Sequence, residues 1–115
     1  MVLGPEARAA IDGHVRILLA WNAAINLTAI TEPADVARLH VADSLAALKV
    51  LQAGPHATLL DLGSGGGFPG LPLAAALPGT RALLVDSVAK KGAFLDAARR
   101  AVGLADRVDV ATARM

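Results

Sequence analysis

Residues 57–70, Ala-Thr-Leu-Leu-Asp-Leu-Gly-Ser-Gly-Gly-Gly-Phe-Pro-Gly, hold the residue types best suited to chemistry in this chain. Glycines at 63, 65, 66 and 67 let the main chain turn sharply and bring bare backbone against a ligand. Asp86 follows Gly63 by about two dozen residues, where a nucleotide site needs a carboxylate to accept the hydroxyls of a ribose. A second reading stays open for it, because Asp86 and Ser87 both precede a helix and an aspartate there can cap one. Asp61 either accepts backbone N–H groups of the turn or is an ordinary satisfied buried carboxylate. No Gly-Lys-Ser/Thr follows at the spacing a phosphate loop needs, which excludes that chemistry.

A strand must deliver such a turn and a helix must leave it. The apolar run 57–62 reads as a buried parallel strand. A helix over 68–77 follows, with Pro69 in its first turn. Pro78-Gly79 is a turn, and 81–85 is a second strand with Asp86 at its carboxyl end. Ser87 caps a helix reaching Val102, Gly103 takes the position after it, and 107–111 is a third strand. The order β-α-β-α-β predicts an α/β chain with three parallel strands, the first half of a Rossmann-like fold. Gly63, Gly65 and Gly67 give G-x-G-x-G, the looser spacing of enzymes that use S-adenosylmethionine. Gly65, Gly67 and Gly70 give G-x-G-x-x-G, the dinucleotide spacing. Either alone also suits a glycine-rich connection in any α/β protein.

Upstream, Ala10, Ile11, Val15, Leu18, Leu19 and Trp21 predict an amphipathic helix over 6–21 that ends near Asn22. Asn26 and Thr28 suit a turn. Thr31 is the expected cap of a further helix that breaks near His40, runs through Leu51 and is stopped by Gly54-Pro55. The expected organisation is an N-terminal helical segment, 1–56, and a partial nucleotide-binding domain, 57–115.

The 115 residues carry a formal charge of +1, which neither demands nor excludes a nucleic-acid partner. Basic residues gather late in the chain, and Arg99 and Arg100 read as a solvated helix face. There is no cysteine, so thiol nucleophiles and thiolate metal sites are excluded. His14, His40 and His56 make no metal spacing, and no metal site is expected. Arg16, Asn22 and Asn26 interrupt the apolar stretch 15–30, so it is no membrane span, and a cytoplasmic protein is expected. A mean hydropathy of +0.53 reflects alanine and, in part, core surface whose partner lies outside this chain.

The chain resembles the bacterial small-subunit ribosomal RNA (guanine-N(7))-methyltransferases, RsmG, also called glucose-inhibited division protein B. The resemblance lies in Trp21-Asn22, Asn26-Leu27-Thr28, His40 to Ser44 as His-x-x-Asp-Ser, Leu60 to Gly70, Val85-Asp86-Ser87, Lys90-Lys91 and Phe94-Leu95. It implies methyl transfer from S-adenosylmethionine to N(7) of a guanine in 16S rRNA. It also implies that Gly63, Ser64, Gly65 and Phe68 border the cofactor, with Asp86 on the ribose. Met115 matches the first place of a dipeptide against the adenine. His40, Lys90 and Arg114 match positions near the RNA or the reacting base; Lys90 equally suits a solvated lysine in a first helical turn. Catalytic side chains stay unassigned.

Members of that family continue well beyond the position of Met115, and a Rossmann-like site lies between the first strand and a fourth. A truncated version is therefore expected, with the 57–62 strand left as an apolar edge. Self-association through that edge, or packing of the N-terminal helices over it, follows as an expectation. Two rival functions remain: a non-catalytic Rossmann-like binding or assembly module, and an NAD-binding oxidoreductase domain.

Overall fold

Three parallel strands, β1 (Thr58–Leu62), β2 (Arg81–Asp86) and β3 (Val108–Thr112), lie side by side in that order. They belong to a computed structural model that describes residues 3–49 and 58–114. The fold is α/β, as expected for the first half of a Rossmann-like sheet. Register pairs Asp61 with Leu84 and Leu84 with Val110, so these three share one face. Helices α4 (Gly70–Ala76) and α5 (Ala89–Ala101) both cover that face. Gly70 packs against Leu84 and Asp61, and Gly92 against Thr112. Two right-handed crossovers that step the same way along a sheet place both helices on one side.

The N-terminal helix α1 (Pro5–Ile25) forms an outer layer on α4 and α5. Its stripe of Ala10, Ile11, His14 and Leu18 is buried. Leu18, Leu71, Phe94 and Leu95 are fully buried where the three helices meet. Each such side chain contributes about 1.5–3 kcal/mol by leaving water. α1 runs past the predicted end at Asn22 and stops where Asn26 turns left-handed, at φ 50°. Asn22 instead braces the following turn, its Oδ1 accepting the Thr28 N–H at 2.7 Å.

The second helical run begins with α2 (Pro33–Asp35), widens into a π turn over Val36–Val41, and continues as α3 (Ala42–Ala46) and a 3-10 turn over Ala47–Lys49. The run does not break near His40; it passes through that position as this π turn. Glu32, not Thr31, occupies the cap position, without a side-chain cap bond. The predicted passage through Leu51 to Gly54-Pro55, and the start of the first strand at Ala57, lie outside the described residues.

Two local expectations need correction. Ser87 does not cap α5; Val88 holds that position, and the Val88 N–H bonds Asp86 Oδ1 at 2.9 Å. Arg99 is not a solvated side chain. It pairs with Asp96 and donates to the carbonyls of Ala105 and Val108, at 3.1 and 2.8 Å, clamping the turn into β3.

β1 is an edge strand, and Leu60 and Leu62 on the face away from the helices are 56% and 59% exposed. Among the described residues, the N-terminal helices leave that face of β1 uncovered.

Candidate functional site

The glycine turn leaves β1 at the carboxyl edge of the sheet and is tied to β2 by main-chain bonds. The N–H groups of Gly63 and Ser64 both donate to Val85 O, at 2.7 and 3.0 Å. Ser64 Oγ donates back to Asp61 O at 2.9 Å, and the Gly67 N–H to Ser64 O at 2.7 Å. Gly63, Gly65 and Gly67 adopt φ of 74°, 51° and 92°, a region other residues enter at a cost. Above Gly65 the space is open: a Cβ built there meets only Gly63 O within 4 Å, at 3.9 Å. A ligand can approach main chain at that point.

Asp61 resolves in favour of the orienting role. Its Oδ2 accepts the Gly70 N–H at 3.0 Å, joining the end of β1 to the first turn of α4. Burial pushes its pKa up from the usual carboxylate value, and the bond from Gly70 opposes that shift.

Asp86 holds two main-chain N–H groups at the carboxyl end of β2. Oδ1 accepts the Val88 N–H, and Oδ2 accepts the Gly65 N–H at 2.9 Å. The carboxylate is buried and bridges the glycine turn to the entrance of α5. Each oxygen retains a second lone pair, so a ribose hydroxyl could share it or replace Gly65 as its donor.

Phe68, at the far end of the turn, packs against two imidazoles. The His40 ring stacks on it at 4.9 Å between centroids and 16° between planes. The His14 ring lies at 4.5 Å and 30°. His40 Nε2 is within 3.0 Å of Thr28 Oγ1, so the Asn-Leu-Thr turn and the π turn both contribute to placing Phe68. His40, Asp43, Ser44, Phe68 and Pro69 line a shallow cavity of about 250 Å³ beside the stack.

His14 lies in no motif that marks it as a site residue. Nε2 lies 2.7 Å from Gly66 O, and a carbonyl only accepts, so Nε2 carries the proton. Nδ1 is buried with no partner among the described residues. Burial lowers the His14 pKa from 6.5 to about 4; the Gly66 bond raises it and the charge of His40 lowers it further. The available signal was a polar residue inside an apolar helical stripe, three residues after Ile11 and four before Leu18.

Gly63, Ser64, Gly65, Phe68, Asp86 and His40 are thus brought to one end of the sheet. Lys90, in the first turn of α5, and Arg114, just after β3, are exposed beyond the same carboxyl edge. Met115 lies outside the described residues. Among the described residues no group of three or more His, Cys, Asp or Glu is placed to hold a metal ion, and no helix is long and apolar enough to cross a membrane.

Comparison with known proteins places these features in a family. The family model GidB, described as rRNA small subunit methyltransferase G, matches residues 8–115. Proteins named ribosomal RNA small subunit methyltransferase G are similar to the chain. One from Myxococcus xanthus is 56% identical over 87 residues, which is 76% of this chain and 39% of that protein. One from Anaeromyxobacter sp. is 50% identical over 95 residues, 83% of this chain and 43% of that protein. One from Burkholderia thailandensis is 43% identical over 116 aligned positions, covering 100% of this chain and 50% of that protein. The chain spans half the length, or less, of these relatives.

Proposed function

Because the chain belongs to the rRNA small subunit methyltransferase G family, we propose that its glycine turn and Asp86 form one wall of an S-adenosylmethionine site. The transfer it serves goes to N(7) of a guanine in 16S rRNA of the small ribosomal subunit, in the cytoplasm. The observation that carries this reading is the Gly65 N–H bonded to the Asp86 carboxylate at the carboxyl ends of adjacent parallel strands. There a Rossmann-like sheet receives a nucleoside. The open space above Gly65 and the two carboxylate oxygens of Asp86 suit a ribose with two hydroxyls.

When bound, S-adenosylmethionine supplies a methyl group on a positively charged sulfur. Guanine N(7) has a free lone pair and no proton. A nucleophile of that kind would need no base to prepare it, so no side chain here would have to take a proton from it. The chain's own task is placement. Gly63 and Gly65 offer main chain without side chains, Asp86 holds the sugar, and Phe68, packed against two imidazoles, closes the turn. His40 lines the cavity beside Phe68, where a planar base can lie. Lys90 and Arg114 are exposed cations suited to RNA phosphates.

Calorimetric titration with S-adenosylmethionine and with its demethylated product tests the cofactor site. Tritiated methyl transfer to 16S rRNA lacking the modification tests turnover. Binding of NADH in place of the methyl donor would support the oxidoreductase reading instead.

The uncovered Leu60 and Leu62 on an edge strand favour a second reading, a binding or assembly module that self-associates through β1. Light scattering coupled to size-exclusion chromatography tests it, and a stable monomer over a wide concentration range counts against it.

A further inference from the structure

We propose that His14, on the N-terminal helix, is a positioning residue for the cofactor site: its Nε2–H bond to Gly66 O and its ring against Gly67 and Phe68 hold the glycine turn in its ligand-ready shape. This rests on the S-adenosylmethionine reading above and extends it to a residue of the outer helical layer.

Three contacts converge on the turn from one side chain. The first is the 2.7 Å hydrogen bond to Gly66 O, which spans 52 positions of sequence. The second is close approach to bare backbone: a Cβ on Gly67 would come within 2.7 Å of His14 Nε2 and 3.1 Å of Cε1. The ring thus occupies the space that glycine at 67 leaves free. The third is the Phe68 ring at 4.5 Å, on which the His40 ring also stacks. Gly66 O faces the helices, while Gly63 and Gly65, earlier in the same turn, face β2 and Asp86. Fixing Gly66 and Phe68 therefore fixes the far end of a segment whose near end is fixed by the sheet.

An ordinary core side chain does not account for this arrangement. Nδ1 is buried and without a partner among the described residues, which opposes folding. Leucine at 14 would remove that penalty and keep an apolar surface, but it would release Gly66 O and Phe68. Stability of the fold and placement of the turn thus favour different residues at this position.

Two substitutions separate the two roles. His14→Leu removes the donor and the ring. His14→Gln places an amide N–H where Nε2 stands and keeps the bond to Gly66 O. We expect His14→Leu to weaken S-adenosylmethionine binding about tenfold at neutral pH without lowering the unfolding midpoint, and His14→Gln to restore most of the affinity. Amide hydrogen exchange supplies a readout without ligand. The Gly67 N–H, bonded to Ser64 O, and the Leu71 N–H, bonded to Gly67 O, should exchange about tenfold faster in His14→Leu and near the unsubstituted rate in His14→Gln. If His14→Leu does not fold, His14→Asn carries the same expectation, because its shorter amide reaches the Nδ1 position and not Gly66 O. Unchanged affinity and exchange in a folded loss variant would overturn the proposal, as would a glutamine variant that behaves like leucine. If the unsubstituted chain binds no S-adenosylmethionine, the cofactor reading fails by itself, and the exchange rates still decide the role of His14.

Discussion

Acidification of this protein should cost stability through one buried ring, and substituting His14 should remove that cost. The folded state holds the His14 pKa at about 4 against an ordinary 6.5, chiefly because burial disfavours the charged form. Between these values the unfolded chain takes up a proton at His14 that the folded chain refuses. Stability from this group is therefore complete above pH 6.5 and is lost as pH falls toward 4. The difference corresponds to about 3 kcal/mol, or roughly 10 °C in unfolding midpoint for a domain of this size. Asp61 acts in the opposite sense. Its raised pKa favours the protonated carboxyl in the folded state, so acid relieves part of its burial cost. That contribution is common to both proteins and largely cancels in the comparison. The assay is urea unfolding at a series of pH values from 7.5 to 4, for the unsubstituted chain and His14→Leu. The two stability curves should lie close together or favour leucine at pH 7.5 and diverge in favour of leucine by about 3 kcal/mol near pH 4. Parallel curves across the whole range would refute the reasoning.

Gly70→Ala places a Cβ against Leu84 and within 2.7 Å of Asp61 Oδ2, at the seam of α4 and the sheet; it should cost about 1–3 kcal/mol by chemical denaturation. Arg107 donates to the carbonyls of Ala74, Leu77 and Thr80, at 2.9, 3.2 and 3.0 Å, where α4 ends; Arg107→Met should lower stability by about 2–3 kcal/mol in the same measurement. Asp86→Ala leaves the N–H groups of Gly65 and Val88 without their acceptor and should cost about 2–3 kcal/mol, whereas Asp86→Asn keeps one acceptor, costs less, and still weakens cofactor binding in calorimetry.

Much of this architecture was legible in the residues. The apolar run before the glycines, the Pro78-Gly79 turn, and Gly103 at φ 75° after α5 mark element ends that depend on local chemistry. Positions settled by distant partners were harder to read. Ser87 has the right side chain to cap α5, but Val88 takes the cap position, its N–H bonded to Asp86, whose other oxygen accepts the Gly65 N–H from 21 positions earlier. Arg99 reads as solvated until α5 meets the turn into β3 and offers it two carbonyls. The π turn at Val36–Val41 has no marker in the sequence, since no glycine or proline within it announces a change of pitch. The same limit hid His14, whose role depends on a contact with Gly66 that no spacing rule reaches.

The most direct test of the cofactor site is an amide chemical-shift titration of the isotopically labelled chain with S-adenosylmethionine. Saturable shifts concentrated at Gly63, Ser64, Gly65, Phe68 and Asp86, with the sheet's opposite end unmoved, are the predicted result. A spectrum in which those amides stay fixed up to millimolar ligand, or in which NADH moves them and the methyl donor does not, would contradict it.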